Sequence, residues 1–375
     1  MTIDRTHRVA LVGAGRIAAV HLGYAKGVSN ARVVAICDPV PGRAEELARQ
    51  KEVATACYTD VDSMLRETEP SIVHIVTPPA THADLAIRAM EAGANVLVEK
   101  PMAMTVADCD RMIAAAKMHG RRICVDHNRL FDPVVLKARA LIDRGGLGDV
   151  VSVEAHQGVN PVELGAGGGG GGTHWSVDNA FAPLYNLAPH PFYLVGTVLG
   201  TVRSTAVMGR PVAADSGLVS EIRVLLEGER AYGFVAFSMG AQPYLNHLVV
   251  YGTRATLRAN LNTMTMVVER VRKLPKMVAK LTANLDPAGQ LVAGTVENVL
   301  GVALRRMKLY PGIGQTIRRF YRSLDQGEPP PVDGEAGREV VRLLNLVERE
   351  LSPHHEDDAK PVASNGHLAE DAWTS

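Results

Sequence analysis

Two side chains that can move a proton dominate the chemistry available to this sequence. Lys100 follows the short apolar run Val96–Val98. A lysine at the carboxyl end of a buried parallel strand is expected to face the crevice where such sheets bind ligands, and there it could hold a hydroxyl or protonate a carbonyl oxygen. A solvated lysine after a strand is the alternative. Pro101 follows directly, so the peptide bond between them is a candidate for the cis form.

The second of these side chains is His190, which stands between two prolines and four residues after Asn186. Residues four apart share a face of a helix, but the prolines predict that His190 lies where a helix begins. An imidazole titrates near neutrality and could take a hydroxyl proton while a hydride leaves the same carbon. A histidine that only packs or caps is the alternative.

A glycine pattern near residue 13 indicates a binding site for a dinucleotide. Gly13, Gly15, Arg16, Ile17 and Ala18 follow the first apolar run and open a helix. The first glycine permits a tight turn, the second lets a pyrophosphate approach the backbone, and Ala18 keeps the helix close to the strand. The loop therefore predicts contacts between its backbone N–H groups and the phosphates of a cofactor.

An acidic residue at the end of the next apolar run supports this interpretation. Asp38 comes 20 residues after Ala18. A carboxylate in this place can accept the hydroxyls of the adenine ribose, and it repels a 2′-phosphate. NAD is therefore favoured over NADP, although Arg43 is near enough in sequence to meet a phosphate, so NADP is not excluded.

These side chains need a sheet that brings distant strand ends together, and residues 8–143 predict one. Short β-branched runs with few polar residues alternate there with helical stretches such as 80–92 and 106–119. Such runs are typical of strands buried on both faces. Repeated β-α-β units indicate an α/β domain with an open, doubly wound parallel sheet, the Rossmann architecture, over residues 1–125. The predicted strands are Val9–Val12, Val33–Cys37, Ile72–Val76, Val96–Val98 and Ile123–Val125.

Residues 126–350 predict a second domain of a different kind. Longer segments of mixed polarity follow one another without intervening helices, which indicates an α+β domain with an open, mainly antiparallel sheet. One face of this sheet needs cover, so we expect a homo-oligomer formed through it, with a monomer that has a polar outer face as the alternative. The predicted strands are Val150–Gly158, Thr201–Gly209, Leu218–Leu226, Ala231–Ser238, Asn246–Tyr251, Ala255–Ala259 and Thr263–Val268.

Other segments carry weaker signals. Residues 165–172 include seven glycines, and such a run could act as a lid, an anion-binding nest or a simple tether. Residues 352–375 are polar and acidic and predict a disordered tail. His74 lies in an apolar run and is expected to be a buried, hydrogen-bonded core histidine. Strand alternation turns His127 away from its neighbour Asn128, so His127 is not placed in the site.

Residues 269–312 predict a basic helical insertion. Between residues 269 and 322, eleven Lys or Arg stand against three acidic residues, and apolar residues lie beside the lysines. Such a segment could lie on an anionic bilayer surface through residues 270–310. It could equally pack its apolar face in an oligomer and leave its lysines in water.

Composition and the absence of certain motifs argue against several classes of protein. The 40 Lys and Arg cancel the 40 Asp and Glu, so no global field favours nucleic acid. The sequence has no Cys-x-x-Cys pair, no cluster of metal ligands, no signal-peptide core and no stretch of 18 apolar residues. These absences argue against a bound metal, a disulfide framework and a spanning helix. A cytoplasmic protein is predicted, with peripheral contact on the inner face of a membrane left open.

The motifs come in an order that resembles one known family, the Gfo/Idh/MocA family named after glucose–fructose oxidoreductase and inositol dehydrogenase. The similarity covers about residues 6–268 and resumes at 313–350. It rests on Gly13–Ala18, Thr77–His82, Glu99–Pro101 and Asn128–Phe131, followed by Asn186 and His190.

The resemblance implies an NAD(P)-dependent oxidoreductase that transfers hydride between nicotinamide and a sugar, a polyol, or a nucleotide-linked or lipid-linked sugar. Lys100 would touch both the nicotinamide ribose and the substrate, and His190 would be the acid/base. Asn128 would reach the nicotinamide or the substrate. The nicotinamide end of the site would be lined by Thr77, Pro78, His82 and Glu99.

One position departs from the family pattern. The family commonly has Asp four residues before the histidine, whereas this chain has Asn186, an amide that can recognise hydroxyls but cannot hold negative charge. This amide favours one alternative, a non-catalytic sensor of dinucleotide and sugar. The resemblance leaves a second alternative open, an NAD-dependent glycosidase, because certain relatives use tightly held NAD to cleave glycosides. Trp175, just after the glycine run, is expected to stack on a sugar ring.

Overall fold

The computed structural model describes residues 6–159, 181–210, 219, 221–271, 274–304 and 310–352. The expectations for the glycine run 165–172, for Trp175 and for the tail after residue 352 concern residues outside these ranges. Among the helices within these ranges, none is both long and apolar enough to cross a bilayer.

The first sheet has six strands: β1 (His7–Val12), β2 (Ala31–Cys37), β3 (Ala56–Tyr58), β4 (Ile72–Ile75), β5 (Asn95–Val98) and β6 (Ile123–Val125). All neighbours pair in parallel, in the order β3-β2-β1-β4-β5-β6. The order reverses between β1 and β4, and sheets of this kind bind ligands at the carboxyl ends of the strands beside such a reversal. The predicted Rossmann architecture is confirmed. Strand β3 is not predicted from the sequence, because its three residues give no periodic signal.

Six helices flank or extend this sheet: α1 (Arg16–Ala25), α2 (Arg43–Gln50), α3 (Val61–Thr68), α4 (His82–Glu91), α5 (Val106–Met118) and α6 (Pro133–Asp143). Two of them begin at side-chain caps, since Asp60 accepts the Ser63 N–H and Thr105 accepts the Asp108 N–H. Buried alanines in α4 and α5 allow these two helices to pack closely on each other and on the sheet. The sheet is therefore covered on both faces.

The second sheet has seven strands: β7 (Val150–Gly158), β8 (Val202–Arg210), β9 (Glu221–Gly228), β10 (Tyr232–Ser238), β11 (Asn246–Gly252), β12 (Ala255–Asn260) and β13 (Thr265–Arg270). Their order is β13-β12-β11-β7-β10-β9-β8, and only the central pair β7–β10 is parallel among these described strands. The predicted mainly antiparallel sheet is confirmed. Thr263 was expected in the last strand but lies in the preceding turn, where Met264 adopts a left-handed φ of +53°.

The described part of the chain contains six more helices: α7 (Ala182–Leu187), α8 (Pro189–Leu199), α9 (Lys276–Thr282), α10 (Leu285–Ala303), α11 (Pro311–Gln326) and α12 (Gly334–Leu351). Helix α8 lies on β7 and β10 and covers the inner face of the second sheet. Helix α11 packs on α1, and its Phe320 and Tyr321 are buried in one cluster with Leu11 of the first sheet. Helix α12 contacts α5, β6 and α8. Helix α12 also contacts β8, so it holds the two sheets together.

Candidate active site

The glycine loop after β1 packs against Val76 at Gly13 and borders open space at Gly15. Gly13 has a left-handed φ of +102°, and a Cβ there would lie 2.7 Å from the Val76 carbonyl oxygen. Gly15 caps the N-terminus of α1, and a Cβ there would meet no atom within 4 Å. The exposed Arg16 and the half-buried Ile17 form the first turn of the helix. This arrangement fits a pyrophosphate in front of Gly15, held by free N–H groups at the helix start.

Asp38 stands at the carboxyl end of β2 and is anchored to the same loop. Its Oδ2 accepts the Ala14 N–H at 2.8 Å and its Oδ1 accepts the Val40 N–H at 3.0 Å. A carboxylate has about four acceptor sites, so further lone pairs are available to ribose hydroxyls. The residues of this region fit the adenosine half of a dinucleotide, as the sequence predicts.

The loops after β4 and β5 are joined by His82. This ring is fully buried, and its Nδ1 lies 3.0 Å from the Pro101 carbonyl oxygen while its Nε2 lies 2.9 Å from that of Thr77. Burial lowers the pKa of His82, against the effect of the two carbonyl groups. His82 thus fixes the distance between the two loops, while the half-buried Thr77 and the exposed Pro78 form the surface that a nicotinamide could reach.

Lys100 lies at the end of β5, and the peptide bond to Pro101 is cis. Its Nζ donates to the backbone carbonyl oxygen of Asn186 and lies 3.4 Å from the Asn186 Oδ1. Burial lowers the pKa of Lys100, and the charge of Glu99 opposes this effect. The two segments that the sequence singles out, 86 residues apart, therefore meet at one point.

His190 is the second residue of α8, where the helix start tolerates the prolines on either side of it. Its ring is buried, and its Nδ1 lies 2.6 Å from the hydroxyl of Tyr193. Burial lowers the pKa of His190 well below 6.5, and the nearby cations Arg129 and Lys100 act in the same direction. The imidazole is therefore neutral at neutral pH and able to take a proton.

Tyr193 and Arg129 support His190, and the sequence analysis assigns a role to neither. The backbone N–H of Arg129 donates to the Tyr193 hydroxyl at 3.1 Å. The Tyr193 ring also stacks on His127, with centroids 4.4 Å apart. Tyr193 follows His190 by three residues on α8, a helical spacing that could have indicated the contact. His127 thus lies behind Tyr193, and half-buried Asn128 begins the short helix next to it.

A cavity of about 330 Å³ lies on the far side of this ring stack. It is lined by His127 and Tyr193 together with residues of the Pro330–Asp333 loop and α12. Lys100 and His190 do not line it. The cavity therefore adjoins the rings that support His190 and is not lined by the reacting groups themselves.

Behind the cofactor loop, Glu99 belongs to a buried cluster of charges. Its Oε1 lies 3.1 Å from the His21 Nε2, and the Asp126 Oδ2 lies 3.4 Å from the same nitrogen. Burial alone would lower the pKa of His21, but hydrogen bonds and charges of Asp126 and Glu99 raise it to about 9. His21 is therefore an imidazolium at neutral pH, and it balances carboxylates that have almost no access to water.

Asp126 is the member of this cluster whose buried carboxylate lacks good hydrogen bonds. Neither of its oxygens finds a well-aligned hydrogen-bond donor among the described residues. Burial, reinforced by Glu99 and opposed by His21, raises the pKa of Asp126. One ring nitrogen of His21 and one carboxylate oxygen each of Glu99 and Asp126 lie within 4.8 Å of one another, a spacing at which these atoms could also bind one metal ion. The absence of a metal therefore stays a prediction, and His21 supplies the positive charge here.

The cluster continues away from the site through two further rings. The His21 Nδ1 lies 3.2 Å from the His74 Nδ1, and the His74 Nε2 lies 2.8 Å from the Tyr321 hydroxyl on α11. His74 is thus the buried, hydrogen-bonded histidine that the sequence predicts. His21 could have been noticed as a histidine on the apolar face of α1, but its carboxylate partners come from distant strand ends.

Two family models match this chain. Residues 7–127 match the model described as an oxidoreductase family with an NAD-binding Rossmann fold, and residues 135–258 match the GFO/IDH/MocA C-terminal domain. Together they cover more than half of the chain.

Curated relatives include two bacterial inositol dehydrogenases. Inositol 2-dehydrogenase of Salmonella typhimurium is 33% identical over 150 residues, which are 40% of this chain and 45% of that enzyme. Inositol 2-dehydrogenase 1 of Saccharopolyspora erythraea is 29% identical over 268 residues, 70% of this chain and 74% of that enzyme. The chain thus matches less than half the length of the Salmonella enzyme.

Solved structures are similar over nearly the whole chain. The WlbA dehydrogenase of Bordetella pertussis, in complex with NADH and UDP-GlcNAcA, has a TM-score of 0.73 at 21% identity and covers 92% of this chain and 95% of its own. An oxidoreductase of Agrobacterium radiobacter with NAD⁺, L-tartaric acid and magnesium has a TM-score of 0.75 at 16% identity, and covers 92% and 96%. At such identities the similarity shows the fold.

Proposed function

The chain belongs to the Gfo/Idh/MocA oxidoreductase family, and from this we propose that it is an NAD-dependent dehydrogenase acting on a CH–OH group of a sugar, a polyol or a sugar derivative. The observation that carries the proposal is the meeting of Lys100 with the segment that holds Asn186 and His190. An ammonium and a neutral imidazole then stand together at the carboxyl end of β5, beside the loops that fit the cofactor.

The proton chemistry follows from these two groups. Bound NAD would supply the hydride acceptor, and Gly13, Gly15 and Asp38 would hold it. His190 takes the hydroxyl proton on Nε2 in the tautomer whose Nδ1–H donates to the Tyr193 hydroxyl, because Nε2 then carries a free lone pair. The Lys100 ammonium donates to the substrate oxygen and stabilises the negative charge that develops there. In the reverse direction the same groups return the proton to a carbonyl oxygen.

Asn186 gives this site a neutral partner where the family commonly has an acid. Its backbone carbonyl holds the Lys100 ammonium, and its side-chain oxygen lies within reach of the same nitrogen. An amide adds no negative charge that would raise the pKa of His190. We therefore expect Asn186 to position Lys100 and to recognise a neighbouring substrate hydroxyl, while His190 keeps its low pKa.

The relatives suggest which substrates to test first. The curated relatives act on inositols by name, and the Bordetella neighbour was crystallised with a nucleotide-linked sugar acid. Arg129, whose charge reaches both Lys100 and His190, adds a cation beside the site. We infer that inositols and nucleotide-linked sugars are the two classes to compare, the second with its carboxylate or phosphate near Arg129.

The test is incubation of the purified protein with NAD and a panel of inositols, hexoses and nucleotide-linked sugars. Net formation of NADH with one class is the expected result. Product release from a glycoside without net NADH would assign the protein to the NAD-dependent glycosidases. Binding of dinucleotide and sugar without turnover would make it a sensor, and either of these outcomes overturns the dehydrogenase.

We also infer a homo-oligomer formed through the outer face of the second sheet. Met208, Leu225 and Tyr232 are exposed there, and the pairing of Leu225 with Phe234 places two large apolar side chains side by side. Light scattering of the protein and of a Leu225→Glu/Tyr232→Glu variant tests this. The protein should form a larger species that the variant does not, and a monomeric wild type would refute it.

A further inference from the structure

Helix α10 turns its polar side to the protein. Gln290 pairs with the free edge of β13, accepting the Val268 N–H at 2.8 Å and donating to the Val268 carbonyl at 3.1 Å. Asn298 donates to the Thr263 carbonyl at 2.7 Å, and Gly294 lies between them against Thr265. The side of α10 that contacts the protein therefore consists of amides and a glycine.

The opposite side of α10 is apolar and faces outward. At 3.6 residues per turn, the positions farthest from Gly294 are Leu285, Ala288, Gly289, Val292, Val296, Val299, Leu300 and Ala303. None of these residues is charged or polar. Leu285 is 68% exposed, Val292 65% and Val299 62%. In helix α9, which precedes it, Leu281 is 78% exposed as well.

This pattern is the reverse of an ordinary surface helix, which buries its apolar side against the core. A continuous apolar stripe exposed on a protein marks a site of interaction. Removing Val and Leu side chains from water is favourable in proportion to the apolar area buried, so an apolar phase that covers the stripe is stabilised by it. Gln290 fixes α10 to β13 and Asn298 fixes it to the turn before β13, and both keep the stripe turned away from the protein.

The charge of the segment favours one occupant. Residues 270–310 contain eight Lys or Arg and two acidic residues, although the whole chain is balanced at 40 of each sign. One of the two acids, Glu297, is paired with Lys137 at 2.7 Å. Because like charges repel, this excess of positive charge disfavours a second copy of the segment as the occupant. An anionic bilayer surface would instead satisfy both the apolar stripe and the excess of positive charge.

We propose that α9 and α10 bind the protein peripherally to an anionic lipid bilayer, with α10 lying in the plane of the interface and its outer stripe inserted among the acyl chains. Lysines such as Lys276 and Lys280, which are exposed on α9, contact the headgroups. This binding is independent of the dehydrogenase activity, since the stripe lies on the side of α10 away from the sheet.

The test is co-sedimentation of the full-length protein with vesicles of phosphatidylcholine containing one quarter phosphatidylglycerol, compared with phosphatidylcholine alone. The protein should pellet with the anionic vesicles and much less with the neutral ones, and added salt should weaken the binding. A Val292→Glu/Val299→Glu variant should partition about tenfold less, because two carboxylates enter the apolar stripe.

The matched control is Met118→Glu, which adds a carboxylate at an exposed methionine (79%) at the end of α5. It should bind vesicles like the wild type. Thermal unfolding and dinucleotide binding verify that each variant is folded. Equal pelleting of the wild type and the α10 variant would overturn the proposal. So would a wild type that ignores vesicles but forms a dimer that the α10 variant cannot form, which would make the stripe a self-contact.

Discussion

Burial sets the protonation states of the residues that meet at the end of β5. His190 and Lys100 both have lowered pKa values, chiefly because they are removed from water. His190 is thereby kept neutral and can accept a proton, while Lys100 remains a cation that loses its proton more easily than an exposed lysine. The pKa of His21 is instead raised, because the carboxylates of Asp126 and Glu99 lie beside its ring.

The pH dependence of turnover should report these two shifts. A base that works in its neutral form loses activity only as the pH falls through its pKa. Because the pKa of His190 lies well below 6.5, kcat/KM for oxidation should stay level between pH 7 and pH 6.5 and should decline only at a much lower pH. A step that needs the Lys100 ammonium should weaken as the pH rises, starting below the ordinary lysine value of 10.5. An unshifted acid limb near pH 6.5 in the wild type would contradict this assignment of the base.

Tyr193→Phe should lower kcat about tenfold with little change in KM. The acid limb of its pH profile for kcat/KM should also move relative to that of the wild type, because the hydroxyl in contact with His190 is lost.

Removal of the buried cation should destabilise the fold. His21→Leu leaves Glu99 and Asp126 without their positive partner, and the free energy of unfolding should fall by about 3–5 kcal/mol. Asp126→Asn on the same background should recover part of the loss, because one buried carboxylate is gone. Urea unfolding of the two single variants and the double variant measures the coupling. His119→Leu at the end of α5 is the control, and strict additivity of His21→Leu and Asp126→Asn would refute the ion cluster.

At the scale of the elements, the sequence predicts much of the first sheet and its loop, because strands buried on both faces and a glycine turn leave a local signal. It also predicts Lys100 at the end of β5 and His190 at a helix start. The helical spacing of Tyr193 from His190 indicates their contact, but the bond from the Arg129 N–H to Tyr193, the cluster around His21 and the reversed polarity of α10 could not be predicted. Each of these depends on which elements pack together, and a single chain segment does not contain that information.

Substitutions in the glycine loop should separate folding from binding. Gly13→Ala forces a Cβ against the Val76 carbonyl at a left-handed φ, so it should lower the melting temperature. In Gly15→Val the added Cβ meets no atom within 4 Å, so the fold should tolerate the change while affinity for NADH falls at least tenfold. Gly23→Ala, within α1 and equally uncrowded, is the control and should be neutral or stabilising. Normal NADH binding by Gly15→Val would place the pyrophosphate elsewhere.

At the scale of the whole molecule, α12 ties the two halves of the site together. Asn345 donates to the Met104 carbonyl in the loop after β5 at 2.9 Å and to the Tyr185 hydroxyl of α7 at 2.6 Å. Tyr185 also donates to Glu348 and directly precedes Asn186. The C-terminal helix therefore sets the spacing between Lys100 and the segment that contains His190.

Loss of this link should affect turnover more than cofactor binding. Asn345→Ala should lower kcat about tenfold, because the reacting groups lose their fixed spacing, while the Kd for NADH remains near the wild-type value. Arg349→Ala, exposed on the same helix, serves as the control. An equal loss of NADH affinity and turnover would indicate general unfolding rather than positioning.

Lys100 and His190 are the two groups that move the proton, and their removal is the most direct test of the proposed chemistry. With the substrate identified from the panel, kcat/KM should be measured for Lys100→Ala and His190→Ala, with Lys117→Ala on the exposed side of α5 as the control. Each of the first two should lose about a hundredfold or more while NADH still binds, and the control should match the wild type. Near-normal turnover in both Lys100→Ala and His190→Ala would contradict the assignment.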